Sequence, residues 1–375
     1  MPSSGDDSAH SATAAILVSR QPLRPCRATP WVRSVIQAVH WIKRQHMSLL
    51  TAVGRPTWDL ITSCGSINSL TMRVLYEVSG SQSPGDAHSL QMQFGLAQQT
   101  VSLVPIAPDG AASEDEQNHL IDQSICTRAD LLIPISVRPG GFMDRALRSA
   151  EEGGRPTIWN FFCGPPESPS KIAYNLKGLP INPELDEIAE KYITHWTRGT
   201  NQPWPDEQPI DFYRTVLASE CYPRTAFDTL CHILDTRMIQ ASSNHMPDST
   251  PTVSLSELSP CEVVPLMRWR ARYAQMSFEP YGIGITKEFA QRYGILPVRY
   301  YDRADKALPA TLPSWLTQST GRISDWRAER EYRHLGSLDL GQVPSEALIA
   351  YCLTCQEASI ITGKFRIRTI PFRID

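Results

Sequence analysis

The chain has 375 residues, more than one hydrophobic core usually spans, so two domains are expected. With 41% hydrophobic and 20% charged residues it carries enough apolar side chains to fold, which excludes collagen-like and wholly disordered chains. The 36 basic and 39 acidic residues leave a net charge of −3, too little for a global field that gathers duplex nucleic acid or anionic lipid. Nine cysteines form no dense framework, and their odd number leaves at least one thiol unpaired, which fits a reduced, cytoplasmic setting. No apolar run approaches the roughly 18 residues that span a bilayer, and Ala14 to Val18 lacks the basic flank and length of a secretion signal.

Residues 1–30, rich in Ser, Ala, Arg and Pro, are expected to form a flexible tail, with a transit peptide as the other reading. Val32, Val35, Ile36, Val39 and Ile42 then recur at helical spacing, predicting a helix over Trp31 to His46. Apolar runs at Ser48 to Val53, Met72 to Val78, Val101 to Ile106, Asp130 to Val137 and Pro156 to Phe162 read as strands. Helices are expected between them from Thr57, over Glu114 to Ile125 and over Asp144 to Glu151. Strands alternating with helices predict a parallel sheet covered on both faces: an α/β, Rossmann-like domain over residues 31–180. Prolines follow from Pro165 to Pro183, and residues 181–375 show short extended runs among helices and loops. They include Val253 and Leu255, Ile283 and Ile285, Val298 to Tyr301, Ile349 to Leu353, and Phe365 to Ile370, which predict an α+β second domain.

Within the first domain, Leu131 to Val137 leads through Arg138 and Pro139 into Gly140 and Gly141, then into a helix. Glycines at the end of a parallel strand let backbone N–H groups approach an anion, the helix offers its positive end, and Arg138 adds a fork of donors. A plain strand-to-helix turn would use the same glycines. Gly54-Arg55-Pro56-Thr57 is a second loop of this kind. The Arg138 to Gly141 segment, with its return at Glu151 to Thr157, resembles the SLOG and DprA-like Rossmannoid superfamily. That resemblance implies a nucleotide or single-strand nucleic-acid site bordered by Arg138, Gly140 and Gly141. GxGxxG and GxxxxGK[ST] are both missing, which disfavours ordinary dinucleotide and P-loop ATPase readings.

Three features stand in order in the second domain: Thr194-His195-Trp196-Thr197, Glu279-Pro280-Tyr281-Gly282-Ile283, and Arg327-Ala328-Glu329-Arg330-Glu331. Residues 191–355 resemble the AbiGi-type group of abortive phage resistance proteins, which associates the chain with defence without defining a reaction. The order of histidine, aromatic and late glutamate is similar to ADP-ribosyltransferases of the DarT-like and His-Tyr-Glu kinds. That similarity implies NAD as a substrate. Under it His195, Thr197 and Arg198 hold the ribose and pyrophosphate, Tyr281 stacks on nicotinamide, Glu331 stabilises the oxocarbenium-like sugar, and Glu329 activates the acceptor. Glu329 is expected to share a strand face with Glu331. A packed core imidazole, a turn aromatic and a solvated ion-pair ladder account for His195, Tyr281 and the glutamates equally well.

Arg268, Trp269, Arg270, Arg272 and Tyr273 read as a solvated helix or as a grip on pyrophosphate or a nucleic-acid strand. Cys352-Leu353-Thr354-Cys355 is a lone CxxC without the partners a zinc shell requires, so no metal is expected. Together these features predict a defence-type protein that joins a nucleotide-sensing domain to an NAD-consuming effector with a protein or nucleic-acid acceptor, away from membranes. The other reading is a non-catalytic nucleotide or nucleic-acid binding module acting as a recognition or antitoxin-like partner.

Overall fold

The computed structural model describes residues 12–78, 85–106, 114–154, 156–165, 171–174, 176, 181–243, 246–270, 275–301, 312–320 and 326–374. The chain forms two units, Met1–Ser170 with Asn201–Pro223, and Lys171–Thr200 with Arg224–Asp375. The first is an α/β Rossmann-like unit and the second an α+β unit built on a mixed sheet.

In unit 1 the strands are β1 (Thr13–Val18), β2 (Ser48–Ala52), β3 (Met72–Glu77), β4 (Val101–Ile106), β5 (Leu131–Ser136) and β6 (Thr157–Ile158). Between them run α1 (Pro30–Arg44), α2 (Pro56–Ile67), α3 (Gly85–Phe94), α4 (Glu114–Arg128) and α5 (Phe142–Glu152). All neighbours in the six-stranded sheet are parallel, in the order β4-β3-β2-β1-β5-β6. The chain therefore builds outward from β1 to β4 on one side, then crosses back to place β5 on β1's other side.

The expected tail over residues 1–30 is corrected from residue 12 onward, residues 1–11 lying outside the described residues: Thr13–Val18 is a central strand, buried along its whole length. A strand covered on both faces reads as an unbroken apolar run, and Thr-Ala-Ala-Ile-Leu-Val is one. Its start is tied to β5, because Asp130 Oδ2 accepts from both Thr13 N (2.8 Å) and Thr13 Oγ1 (2.9 Å). The expected boundary near residue 180 also shifts, since residues 201–223 return to unit 1 as α6 (Pro209–Ala218). Its apolar side, Ile210, Phe212, Tyr213 and Val216, needs a partner surface and finds it on α2. The strand expected to reach Phe162 stops at Ile158, and Asn160–Phe162 is a 3-10 turn.

Unit 2 holds β7 (Tyr192–Trp196), β8 (Thr252–Ser256), β9 (Gly282–Thr286), β10 (Leu296–Pro297), β11 (Glu331–Leu335), β12 (Leu348–Cys352) and β13 (Thr369–Pro371). They make a seven-stranded sheet ordered β10-β11-β8-β7-β9-β12-β13, antiparallel except for β12 with β13. One face packs on α7 (Ala226–Thr236) and α8 (Cys355–Phe365) through Ile193, Ile283, Leu230 and Ile361. The expected helix at Arg268 to Tyr273 is replaced at Trp269–Arg270 by a short strand paired with Gln275–Met276, while Arg272 and Tyr273 lie outside the described residues.

Ile16 is fully buried at the centre of β1, so Ile16→Ala is expected to cost about 2–5 kcal/mol of unfolding free energy by lost transfer and an unfilled cavity. Denaturant unfolding of the full chain checks this, and a variant as stable as the parent contradicts the strand's place in the core.

Candidate functional site

The order of strands turns between β1 and β5, and their connections leave the sheet in opposite directions. The carboxyl ends of these strands therefore border a crevice. The register shifts between Leu17 and Val18, so the paired ends there are Val18 and Ser136. A cavity of about 580 Å3 opens at this point. The loop after β1 contributes Ser19, Arg20, Gln21 and Arg24, the loop after β2 Gly54 and Arg55, and the loop after β5 Arg138 and Gly141. Phe212 and Tyr213 of α6 complete the wall with Trp58, His119 and Phe142.

Four arginines against the single carboxylate of Asp122 make the lining cationic. Asp122 is buried and already committed, accepting from Arg55 Nη1 at 3.0 Å and from Trp58 Nε1 at 3.1 Å. Arg20 and Arg138 are exposed, and their guanidinium groups have no partner among the described residues. Helices α2 and α5 start at this edge, and neither N-cap residue, Arg55 nor Gly141, caps its helix with a side chain. Their positive ends add to the attraction for an anion. Gly140 turns the chain with φ of +72°, a conformation that a Cβ would strain, and its N–H donates to Asp144 Oδ2 at 2.9 Å. That bond, with Arg148 beside it, holds the Asp144 carboxyl below its ordinary range.

Two buried polar atoms of residues that line the cavity lack partners among the described residues. Gln21 is 8% exposed; its Nε2 donates to Ser136 Oγ at 2.9 Å, and its Oε1 accepts nothing. Trp31 is 4% exposed, and its Nε1–H donates to nothing. Both atoms are sealed from solvent, so they lie behind the cavity surface rather than on it. His119 stacks on Phe142 with centroids 4.1 Å apart, giving the same cavity a planar surface.

Arg138 and Gly141 of the predicted phosphate loop line this cavity, and Gly140 supplies the turn between them. The loop after β2 joins them. Ser19 to Arg24, Trp31 and Asp122 were missed: the first lie in the stretch expected to be a tail, although an apolar run broken by Pro22 and Pro25 is itself a strand-to-loop signal.

In unit 2, β7 and β8 share one register pair, Thr194 with Ser256, so that seam is loosely laced. His195 Nδ1 lies 2.9 Å across it from the Ser254 carbonyl oxygen, and Ser254 Oγ donates to Glu331 Oε1 at 2.8 Å. The carbonyl can only accept, so Nδ1 carries the proton, and burial lowers the imidazole's pKa, favouring the neutral ring. Its Nε2 is then an acceptor with no partner among the described residues. Thr197 Oγ1, also buried, has none.

Register and alternation put Glu331 with Ser256 and Thr194 on one face, and His195 with Ile283 on the other. Glu331 is bound by the buried Arg333, whose Nε lies 2.8 Å from Oε1. Glu329 is not on the strand with it, as expected from the sequence, but in the 3-10 turn Trp326–Glu329, because Arg330 takes φ of +43° and breaks the alternation. Burial raises the Glu329 carboxyl above its ordinary range, with the charge of Glu331 adding to the effect and Arg270, 3.3 Å away, opposing it. Arg198, exposed, lies within electrostatic reach of His195 and Glu329. Tyr281 is not a stacking platform but 5% exposed, its hydroxyl donating to Glu357 Oε1 at 2.9 Å among Tyr174 and Phe227.

All nine cysteines are free; Cys352 is buried at the end of β12, which pushes its thiol pKa up. Among the described residues no group of three or more His, Cys, Asp or Glu is placed to hold a metal ion, and no helix is long and apolar enough to cross a membrane.

No family model matches the chain, and no curated protein matches it. Among solved structures it is similar to DNA processing protein A (DprA) from Streptococcus pneumoniae at 13% identity and a TM-score of 0.29. The match covers 39% of this chain and 48%, about half, of that one.

Beside the cavity, burial pushes the Asp59 carboxyl up to about 7, against backbone hydrogen bonds from Gly54 and Arg55 that lower it. The folded chain holds this proton more tightly than the unfolded chain. The stability it contributes is complete below about pH 4 and is lost as the pH rises through 7. Asp59→Asn keeps an acceptor for Gly54 N, so relative to the parent its melting temperature should be higher at about pH 8 than at about pH 4. An equal difference at both pH values contradicts this.

Proposed function

We propose that unit 1 binds a phosphorylated nucleotide, its phosphates held in the cavity between β1, β2 and β5. The observation that carries this reading is the convergence of Arg20, Arg24, Arg55 and Arg138 on the crevice where the strand order turns. Phosphate oxygens accept from guanidinium forks in pairs, and such charge-assisted bonds are stronger than neutral ones. A nucleotide sensor and a carrier of a nucleic-acid end both fit this chemistry. The small net charge of the whole chain favours the compact ligand. Titration calorimetry with ADP is expected to show saturable binding that Arg138→Ala weakens tenfold or more, about 1.4 kcal/mol or above. Absence of binding, or an Arg138→Ala variant with parental affinity, contradicts the reading.

A second reading concerns unit 2. We propose NAD as its substrate, cleaved between ribose and nicotinamide with an acceptor of protein or nucleic acid. The support is local: Ser254 donates to Glu331, and its carbonyl oxygen accepts from the neutral His195 on the other face of the sheet, so this histidine would position Glu331 through Ser254 rather than touch the sugar. Arg198 would meet the pyrophosphate, Glu331 the developing cation and Glu329 the acceptor. Tyr281 would position the strand rather than touch the ring. A place in antiviral defence rests on the AbiGi-type resemblance of residues 191–355.

The test is free nicotinamide released from NAD by the full chain and its loss in His195→Ala and Glu331→Gln. Removing the Glu331 charge strands the buried Arg333 guanidinium, worth about 3–5 kcal/mol, so circular dichroism of the variants accompanies the assay. Release by the parent and at least about 100-fold less by folded variants supports cleavage. No release by the parent favours a binding module without turnover.

A further inference from the structure

A second cavity, of about 440 Å3, lies along the same edge of the sheet, at the carboxyl ends of β2 and β3. It shares Gly54 and Arg55 with the arginine-lined cavity, so the loop after β2 borders both. Its chemistry is different. Its lining mixes the apolar Val53, Leu90, Phe94 and Ile121 with the polar Asp59, Tyr76, Glu77, Ser89 and Gln93. Asp59 Oδ1 accepts from Gly54 N at 2.8 Å and so fixes the shared loop. The Tyr76 hydroxyl and the Glu77 carboxylate, at the end of β3, have no partner among the described residues. A space lined by one arginine, two carboxyl groups and several hydrocarbon side chains does not suit a second phosphate. It suits a group that donates hydroxyls and carries a flat, weakly polar ring.

We propose that this cavity is the nucleoside subsite of the same ligand, which lies across Gly54 and Arg55 with its phosphates over the arginines, its ribose hydroxyls donating to Glu77, and its base against the cavity's apolar lining. The inference rests on the nucleotide reading of the neighbouring cavity. Parallel sheets support it in general terms: ligands lie over the carboxyl ends of the strands, and an acidic side chain beyond the phosphate loop is well placed to accept from a ribose 2′-hydroxyl. The selectivity that follows is for ribonucleotides. A site that hydrogen-bonds a hydroxyl binds the analogue lacking it less tightly, and because Glu77 is exposed and keeps its contact with water the preference is modest.

The experiment compares inorganic pyrophosphate, ADP and 2′-deoxy-ADP by titration calorimetry on the full chain, with and without Glu77→Gln. ADP is expected to bind at least tenfold more tightly than pyrophosphate and about fivefold or more tightly than its deoxy analogue. In Glu77→Gln the ratio of ADP to deoxy-ADP affinity should fall toward one. Glu77→Ala, at the same exposed position, serves as the second variant if Glu77→Gln does not fold. Pyrophosphate and ADP binding equally, ADP and deoxy-ADP binding equally, or parental discrimination in both variants overturns the subsite while leaving the phosphate site standing. Failure of both pyrophosphate and ADP to bind removes the phosphate site and the subsite with it.

Discussion

The cavity in unit 1 exists because β1 lies between β2 and β5, with the chain leaving toward β2 on one side and arriving from β4 on the other. No connection then covers the gap between the two strand ends. Loops from β1, β2 and β5 project into it together, and each carries arginine. The pairing of six residues, Thr13–Val18, thus decides whether there is a site at all. Hydrogen bonds from Thr13 to Asp130 at one end, and from Ser19 N to Ser136 O (2.9 Å) and Arg138 N to Ser19 Oγ (2.9 Å) at the other, fasten the β1 and β5 loops to each other.

Electrostatics then set what the gap can hold. Asp122 satisfies part of Arg55 from within the wall, which orders that guanidinium without neutralising the other three. Keeping several cations beside one another costs repulsion unless an anion is present, and the exposed positions of Arg20 and Arg138 keep that cost low through solvent screening. In unit 2 the opposite holds. Arg333 is paired inside the sheet with Glu331 and reaches Gln318 Oε1 and the Trp315 carbonyl, so its charge is consumed by the fold.

The alternation of runs made the parallel sheet and the strand-Gly-Gly-helix loop legible in the sequence, since β2 to β5 each carry a near-continuous apolar stretch and helices of recognisable spacing separate them. β1 was hidden by its setting: Ala14 and Ala15 are small, and the flanks are rich in Ser, Arg and Pro, the composition of a tail. The return of α6 to unit 1 was not legible either, because amphipathic periodicity reports that a face is apolar and not which surface it covers. The same limit applies to Tyr281. The similarity to ADP-ribosyltransferases implied a stacking ring, while the partner of its hydroxyl, Glu357, stands 76 residues later in the sequence. His195 and Glu331 were legible as residue types but not as neighbours through Ser254, a link that exists only in the strand register.

The most direct test of the proposed anion site is a crystal structure of the full chain grown with ADP. The account predicts phosphate density between the Arg138 and Arg55 guanidinium groups and the first turns of α2 and α5. Density for the phosphates elsewhere, or an arginine-lined cavity holding only water at saturating ADP, would contradict it.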